Sequence, residues 1–336
     1  MKTNLYTAVF LIMIAATNRL NAQSISYTYE HDDPFDIKNF SATIDPFFID
    51  VNGHNGYSFG WGARAEFMAG KRLLVNFDMR TGFGTNLYRK SNENTRNYFN
   101  MEGGLGLVLV NRMKRKNVPI ILSQTTSGNT KTTVYIKGGV PANCRFLFAL
   151  RGGFLQYTNS LNYEKIADSL LTFNDITYRE AKTGNVFKDT ISDLGTDIAQ
   201  VGGIYIPAVY AGLQFRRIRN LLIDVSGWGY RGNMMYSDFY VDVLFAPLIG
   251  IKDFKNPDGT TYKVKHQETT NLGWRLGWFL RKPKDQGFSF KLEIGSRPGF
   301  KAPKNTNVPV NKSNMYCMMT FGLYIPLKIK PFYDGE

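Results

Sequence analysis

Residues 57–69 read Tyr-Ser-Phe-Gly-Trp-Gly-Ala-Arg-Ala-Glu-Phe-Met-Ala, and after Gly70-Lys71-Arg72 the chain continues Leu-Leu-Val-Asn-Phe-Asp-Met-Arg over 73–80. Tyr57, Phe59, Trp61, Ala63, Ala65 and Phe67 fall on one face of the first segment. Ser58, Gly60, Gly62, Arg64 and Glu66 fall on the other. A period of two over this length marks a strand with one apolar face. The second segment sets Leu73, Val75, Phe77 and Met79 against Asn76, Asp78, Arg80 and Gly82. So short a link between the two suits a tight hairpin.

The same alternation returns along the chain. Phe239, Val241, Val243 and Phe245 oppose Asp238, Tyr240 and Asp242; Leu272, Trp274, Leu276, Trp278 and Leu280 oppose Gly273, Arg275, Gly277 and Arg281. Phe288, Phe290, Leu292 and Ile294 oppose Ser289, Lys291, Glu293 and Arg297. Segments around 99–109, 146–154, 209–215 and 315–325 behave alike, and 40–50, 118–124, 130–137 and 219–230 are weaker candidates. Many of these runs reach about 10–14 residues, longer than the five or six usual in soluble proteins and long enough to cross a bilayer at a tilt. The apolar rows carry almost no charge, whereas the opposite rows hold Gly, Tyr and charges of both signs. Turning a Lys or Arg to lipid costs roughly 2–4 kcal/mol at midplane, so the apolar row faces out.

Composition agrees. The chain has 336 residues, 14% aromatic and 20% charged, with 32 Gly and only 2 Cys, which excludes a disordered, collagenous or disulfide-stapled protein. After residue 22 no apolar run is long enough for a membrane helix, so a membrane-spanning reading requires a closed barrel. Residues 1–22 carry a charged start, a short apolar stretch and Ala22, the pattern of a secretory signal cleaved after Ala22. The expected organisation is a signal peptide (1–22), an N-terminal periplasmic segment (23–38), a barrel (39–328) with a long loop at 158–200, and a tail (329–336). The expected fold is an all-β, transmembrane, antiparallel up-and-down β-barrel of roughly 12–14 strands.

Over most of 39–328 the pattern resembles an outer-membrane β-barrel protein of Gram-negative bacteria. The last strand, Thr320-Phe-Gly-Leu-Tyr-Ile-Pro-Leu327, is similar to the terminal insertion signal of such barrels: Thr320, Gly322, then Ile325 and Leu327. It departs from that signal in lacking the usual aromatics at Ile325 and Leu327 and in the tail that follows. The resemblance implies residence in the cell outer membrane, contact with outer-membrane lipid and lipopolysaccharide, and recognition by the barrel insertion machinery through strand addition.

The inward charges are the candidate functional set: Arg64, Glu66, Asp78, Arg80, Asp238, Asp242, Arg275, Lys291, Glu293 and Arg297. Opposite signs on neighbouring strands predict a cross-strand ion-pair network in the lumen. The basic run Arg112-Met-Lys-Arg-Lys116 just past a strand end suits either anionic lipid phosphate or a solvated turn. The +14 charge does not indicate nucleic acid, because basic residues interleave with strand interiors instead of forming a stripe. Asp189, Asp193 and Asp197 lack the spacing of a calcium loop, His31, His54 and His266 form no catalytic set, and Cys144 and Cys317 are expected as unpaired apolar fillers. No catalytic residue, metal or cofactor is expected. Three functions fit: a structural or accessory subunit of an envelope or secretion complex, with the lumen filled by ion pairs; a narrow channel or transporter for a small solute; or a barrel enzyme.

Overall fold

The computed structural model describes residues 25–52, 56–83, 98–161, 177–180, 186–188, 202–252, 254–255, 261–264, 269–283, 286–300 and 314–327. The signal peptide (1–22), most of the loop at 158–200, the acids at 189–197, His54, His266 and the tail (329–336) lie outside them.

The strands, in chain order, are β1 (Tyr27–Asp32), β2 (Phe40–Asn52), β3 (Gly56–Ala69), β4 (Leu73–Gly82), β5 (Tyr98–Val118), β6 (Ile121–Ser127), β7 (Thr130–Tyr135), β8 (Val140–Leu161), β9 (Thr177–Glu180) and β10 (Val186–Lys188). There follow β11 (Gly202–Val225), β12 (Gly229–Phe245), β13 (Gly250–Lys252), β14 (Phe254–Lys255), β15 (Thr261–Val264), β16 (Thr269–Thr270), β17 (Leu272–Arg281), β18 (Gly287–Ser296), β19 (Gly299–Phe300) and β20 (Met315–Leu327). Ten of them close an antiparallel barrel in the order β11-β12-β17-β18-β20-β2-β3-β4-β5-β8, and β8 pairs back to β11. The wall is up-and-down throughout, its one non-sequential seam being β20 against β2, from Phe40↔Leu327 to Asn52↔Tyr316.

The wall holds fewer strands than the 12–14 counted from periodicity. Residues 121–135 form a separate two-stranded hairpin, β6–β7, and 219–230 is the continuation of β11 into β12 around a turn whose Gly227 and Gly229 have positive φ. The hairpin alternates because it packs beside the wall, and 219–230 because it continues two wall strands that are already counted.

Outside, the apolar rows form a continuous belt: Leu105, Leu107, Phe154, Val209, Val243, Trp274, Phe288 and Leu323 are all exposed, Phe288 by 83%. Among the described residues no carboxylate or cation interrupts these rows within the belt. The barrel therefore presents a lipid-matching surface around its wall.

Both ends of the terminal seam, Phe40 and Leu327, lie at one end of the barrel, with the short turns 70–72, 226–228 and 282–286. At this end β5, β8, β11 and β12 run on past the other strands. Here β8 leaves β11 beyond Cys144↔Arg219, and β1 takes its place on the edge of β11, with Asp32↔Leu221 and Tyr27↔Val225. The Asn143 amide donates to Asp32 Oδ1 at 2.9 Å, which ties β1 to β8. Partial burial pushes the Asp32 carboxyl above its usual range, against the lowering effect of that amide. The β6–β7 hairpin packs over the extension through Ile120, Leu122 and Ile136 against Cys144, Leu221 and Ile223.

If this belt faces lipid, a single charge inside it is costly. Val241→Lys is expected to lower unfolding free energy by roughly 2–4 kcal/mol, while Thr132→Lys in the exposed β7 is expected to change it by less than about 0.5 kcal/mol. Urea unfolding of the vesicle-inserted protein measures both.

Candidate functional site

The site is the lumen. Inward rows are built from alternate residues of the ten strands, and their composition changes from end to end in layers.

The central layer gathers around Arg275 of β17. Its Nη1 and Nη2 donate to both oxygens of Glu102 on β5 at 2.7 and 2.8 Å, and its Nε donates to Asp242 Oδ2 on β12 at 2.7 Å. Arg151 of β8 shares both acids, with Nη2 2.9 Å from Glu102 and Nε 3.3 Å from Asp242. Glu293 accepts from Tyr240 and Tyr316, each at 2.6 Å, and lies 3.5 Å from Lys291 Nζ. The rings of Tyr210 and Tyr240 lie beneath the guanidinium groups: Arg275 is 4.6 Å from the first and Arg151 4.0 Å from the second. Two glycines make room for these rings. A Cβ at Gly277 would strike the Tyr240 ring and one at Gly104 the Tyr210 hydroxyl. This explains why glycine is so frequent on the inward face.

Two further groups flank this layer. Toward the terminal end, Glu66 takes Arg216 at 2.6 Å and Arg281 at 3.3 Å and accepts from Tyr236; Arg216 Nη2 also reaches Asp238 at 2.8 Å. Beside it, Arg64 binds Asp45 through two nitrogens at 2.6 and 2.8 Å, and Asp78 is shared by Arg80 and by Lys291 at 2.9 Å. Toward the far end, Arg297 holds Asp50 at 2.6 Å with the Tyr316 and Tyr157 rings over it at 3.7 and 4.2 Å. Within these layers each lumen carboxylate has a cation and each lumen cation a carboxylate.

All ten charges singled out in the sequence point into the lumen, and each makes one of these contacts. Periodicity missed Asp45, Asp50, Glu102, Arg151, Arg216 and Arg281 as members. The two aspartates lie on either side of a bulge: β2 shifts register between Asp45 and Phe48, around Pro46. Asp45 keeps the inward parity of Ser41 and Thr43 while Phe48 and Asp50 face in on the opposite parity, and no single period-two template covers both. The other four sat on recognised inward rows, and their charge was the available signal.

At both ends the inward rows become apolar. Phe48, Tyr98, Leu155, Tyr157, Ile204, Ile206 and Leu244 close the far end. Met68, Leu74, Leu147, Ile218 and Tyr236 close the terminal end, where Ile37 packs on them and Phe35 lies under Arg145, its ring 4.3 Å from the guanidinium. Between the caps a cavity of about 80 Å³ remains, lined by Ser41, Thr43, Asn76, Asp78, Gln214 and Asp238, among others. A water occupies about 30 Å³ in the liquid, so the space suits a few waters.

Thr320 and Gly322 lie on the inward row of β20, with Thr320 fully buried, and Ile325 and Leu327 on the outward row, about half exposed. Pairing of β20 with β18 stops at Tyr324↔Gly287, so Pro326 pairs only with Ser41 of β2, and the missing donor falls at the end of the wall. Cys144 is buried under the β6–β7 hairpin and Cys317 is partly buried; both are free thiols. Among the described residues no group of His, Cys, Asp and Glu is arranged to hold a metal.

No protein-family model and no curated protein matches the chain. Among solved structures it is similar, at 9% identity over 89% of this chain and 91% of the other, to the CymD monoaromatic hydrocarbon channel, with a TM-score of 0.25. The Ralstonia pickettii toluene transporter TbuX aligns at 9% identity over 87% and 90%, TM-score 0.26. OmpT of Vibrio cholerae, an outer-membrane protein, aligns at 8% over 91% and 99%, TM-score 0.17. What those proteins carry belongs to them.

Arg275→Met would leave Glu102 and Asp242 with Arg151 as their remaining cation in a buried lumen. The expected loss is about 3–5 kcal/mol, against a smaller loss for Arg275→Lys, which keeps the charge but not the fork. The temperature at which the folded band disappears in heat-dependent gel mobility ranks the three proteins.

Proposed function

We propose that this chain is a sealed outer-membrane β-barrel that acts as a structural or accessory subunit of an envelope complex and displays its protein lobe on one side of the membrane. The observation that carries this reading is the filled lumen: among the described residues, paired charges run through the middle and apolar side chains cluster at each end. A barrel that conducts in its resting state needs a polar opening along its axis. The apolar belt supports residence in a membrane. Three of the four links at the terminal end are short (70–72, 226–228 and 282–286), the fourth carrying the β6–β7 hairpin, and all but the β2–β3 link at the other end are longer. This is the asymmetry of outer-membrane barrels, in which the short turns are periplasmic. On that orientation β1, β6–β7 and the extended strands lie in the periplasm, where an envelope partner and the insertion machinery would meet them, with β20 and its Thr320–Leu327 signal at the same edge.

A second reading, a narrow passage for a small polar solute, has one specific observation in its favour. Asp78 Oδ1 and Asp238 Oδ1 are buried beside the lumen cavity without a hydrogen-bond partner in the protein. Acceptors of this kind call for a donor from a small molecule. Such a passage would require the caps to move.

Planar-bilayer recording separates the two. The sealed barrel is expected to give no steady ohmic current, and the Arg275→Ala, Glu102→Ala double variant, which empties the central layer, is expected to leak. Steady current through the unaltered protein would sink the structural reading.

A further inference from the structure

We propose that the outward face just beneath the apolar belt, on β5 and β11, is a binding site for the phosphate headgroup of an anionic phospholipid. The inference holds for either reading of the lumen.

It starts from a bulge. Along β5 the outward residues are Leu105 and Leu107; then the register shifts between Val108↔Ala149 and Val110↔Phe148. Beyond that shift the even residues face out: Val110, Arg112, Lys114 and Lys116, opposite Phe148, Phe146, Cys144 and Ala142 of β8. On β11 the outward row runs Val209, Ala211, Leu213, Phe215 and then Arg217 and Arg219. The two rows therefore change character at the same level. Val110, Phe148 and Phe215 make the last apolar tier, with the two rings 4.9 Å apart. Arg112, Phe146 and Arg217 make the next, and Lys114, Cys144 and Arg219 the one after. Neighbouring strands are about 4.8 Å apart and tiers about 6.8 Å apart, so the cations of two tiers are within reach of one phosphodiester.

The side chains converge further. Lys116 starts lower on β5, yet its Nζ lies 5.2 Å from the centre of the Phe146 ring, and the Arg217 guanidinium lies 5.6 Å from the same ring. Lys116 thus turns back toward the belt, as a cation does that seeks the headgroup level.

The protein supplies no anion here. The lumen cations of the ion-pair layers each have a carboxylate, but among the described residues none of Arg112, Lys114, Lys116, Arg217 and Arg219 has a carboxylate partner. Arg217 Nε and Arg219 Nε are buried with no hydrogen-bond partner. Arg219 meets only the Met235 sulfur, at 3.3 Å. Unpaired cations that start where the lipid-facing row stops are complementary to the phosphates of the leaflet in contact with that row. They lie at the end that carries both termini of the barrel wall and the short turns, which is the phospholipid side of an outer membrane, away from lipopolysaccharide.

The full chain, purified in zwitterionic detergent, is exposed to equal amounts of phosphatidylglycerol and phosphatidylcholine, and retained lipid is read by native mass spectrometry. Phosphatidylglycerol is expected to be retained about tenfold over phosphatidylcholine, with the preference lost in Lys114→Gln, Lys116→Gln, two exposed residues outside the wall's core, and in Arg112→Gln, Arg217→Gln. Heat-dependent mobility checks that each variant is folded; if neither folds, retention by the unaltered protein must fall as salt is raised. Equal retention of the two lipids, a preference untouched by both variants, or retention indifferent to salt would overturn the proposal. So would competition in which inorganic phosphate, lipopolysaccharide or polyglutamate displaces phosphatidylglycerol at equal concentration, each of which assigns the cations to another anion.

Discussion

Closing ten strands into a ring removes the inward charges from water without giving them to lipid, and the structure depends on how those charges find one another. A lone buried ion costs several kcal/mol, and even a good pair only about breaks even against an apolar filling. The lattice around Arg275 is therefore weak evidence for stability and strong evidence for specificity. Arg275 is satisfied only when β5, β12 and β18 bring Glu102, Asp242 and Glu293 to one height. A slip of one residue in any of these strands would break the contact and turn charges such as Lys291 and Glu293 outward. The lumen fixes the register of the wall, and the wall in turn fixes the belt.

Two bulges do much of the remaining work. In β2 the extra residue near Pro46 lets a strand that sends Ser41, Thr43 and Asp45 inward also send Asp50 inward, so that Arg64 and Arg297 both meet an aspartate. In β5 the bulge near Leu109 turns the row that continues the belt from apolar to cationic. Each bulge reverses parity over the rest of its strand. One local irregularity is thereby enough to place an acid in the lumen or a base at the membrane border.

That mechanism also accounts for what was legible in the sequence. Strands β3, β4, β12, β17, β18 and β20 alternate without interruption across their whole span, so their faces could be read directly, and with them the inward positions of Arg64, Asp78, Asp242, Arg275 and Glu293. Asp45 and Asp50 escaped because a bulge lies between them, so that one period-two template cannot put both on the inward face. The strand count ran high because the β6–β7 hairpin buries Ile120, Leu122 and Ile136 against the extension, and a strand half-buried on protein has the same pattern as one half-buried in lipid. The apolar caps escaped for a third reason. Ile204, Ile206 and Ala208 interleave with Tyr205, Pro207 and Val209, so both faces are apolar and alternation vanishes where the lumen is sealed.

The molecule is asymmetric along its axis in a way that bears on what it does. Apolar side chains cluster at both ends of the lumen. At the far end β13 pairs with β11, and β9, β10, β14 and β15 form a small sheet, while at the terminal end four strands of the wall itself continue beyond the belt. There β5, β8, β11 and β12 project, β1 splits β8 from β11, and the hairpin packs on the outside. The chain invests ordered backbone in this lobe, which adds nothing to barrel closure, since the ring is complete at Cys144↔Arg219. Among the described residues five cations without carboxylate partners lie where the projection leaves the belt, while the cations of the ion-pair layers in the lumen are neutralised internally. Charge that is paired serves the fold; charge left unpaired at a membrane border is available to something else. On the proposed reading, the outer surface of this projection would meet other components, and the lumen would be the device that holds it in place.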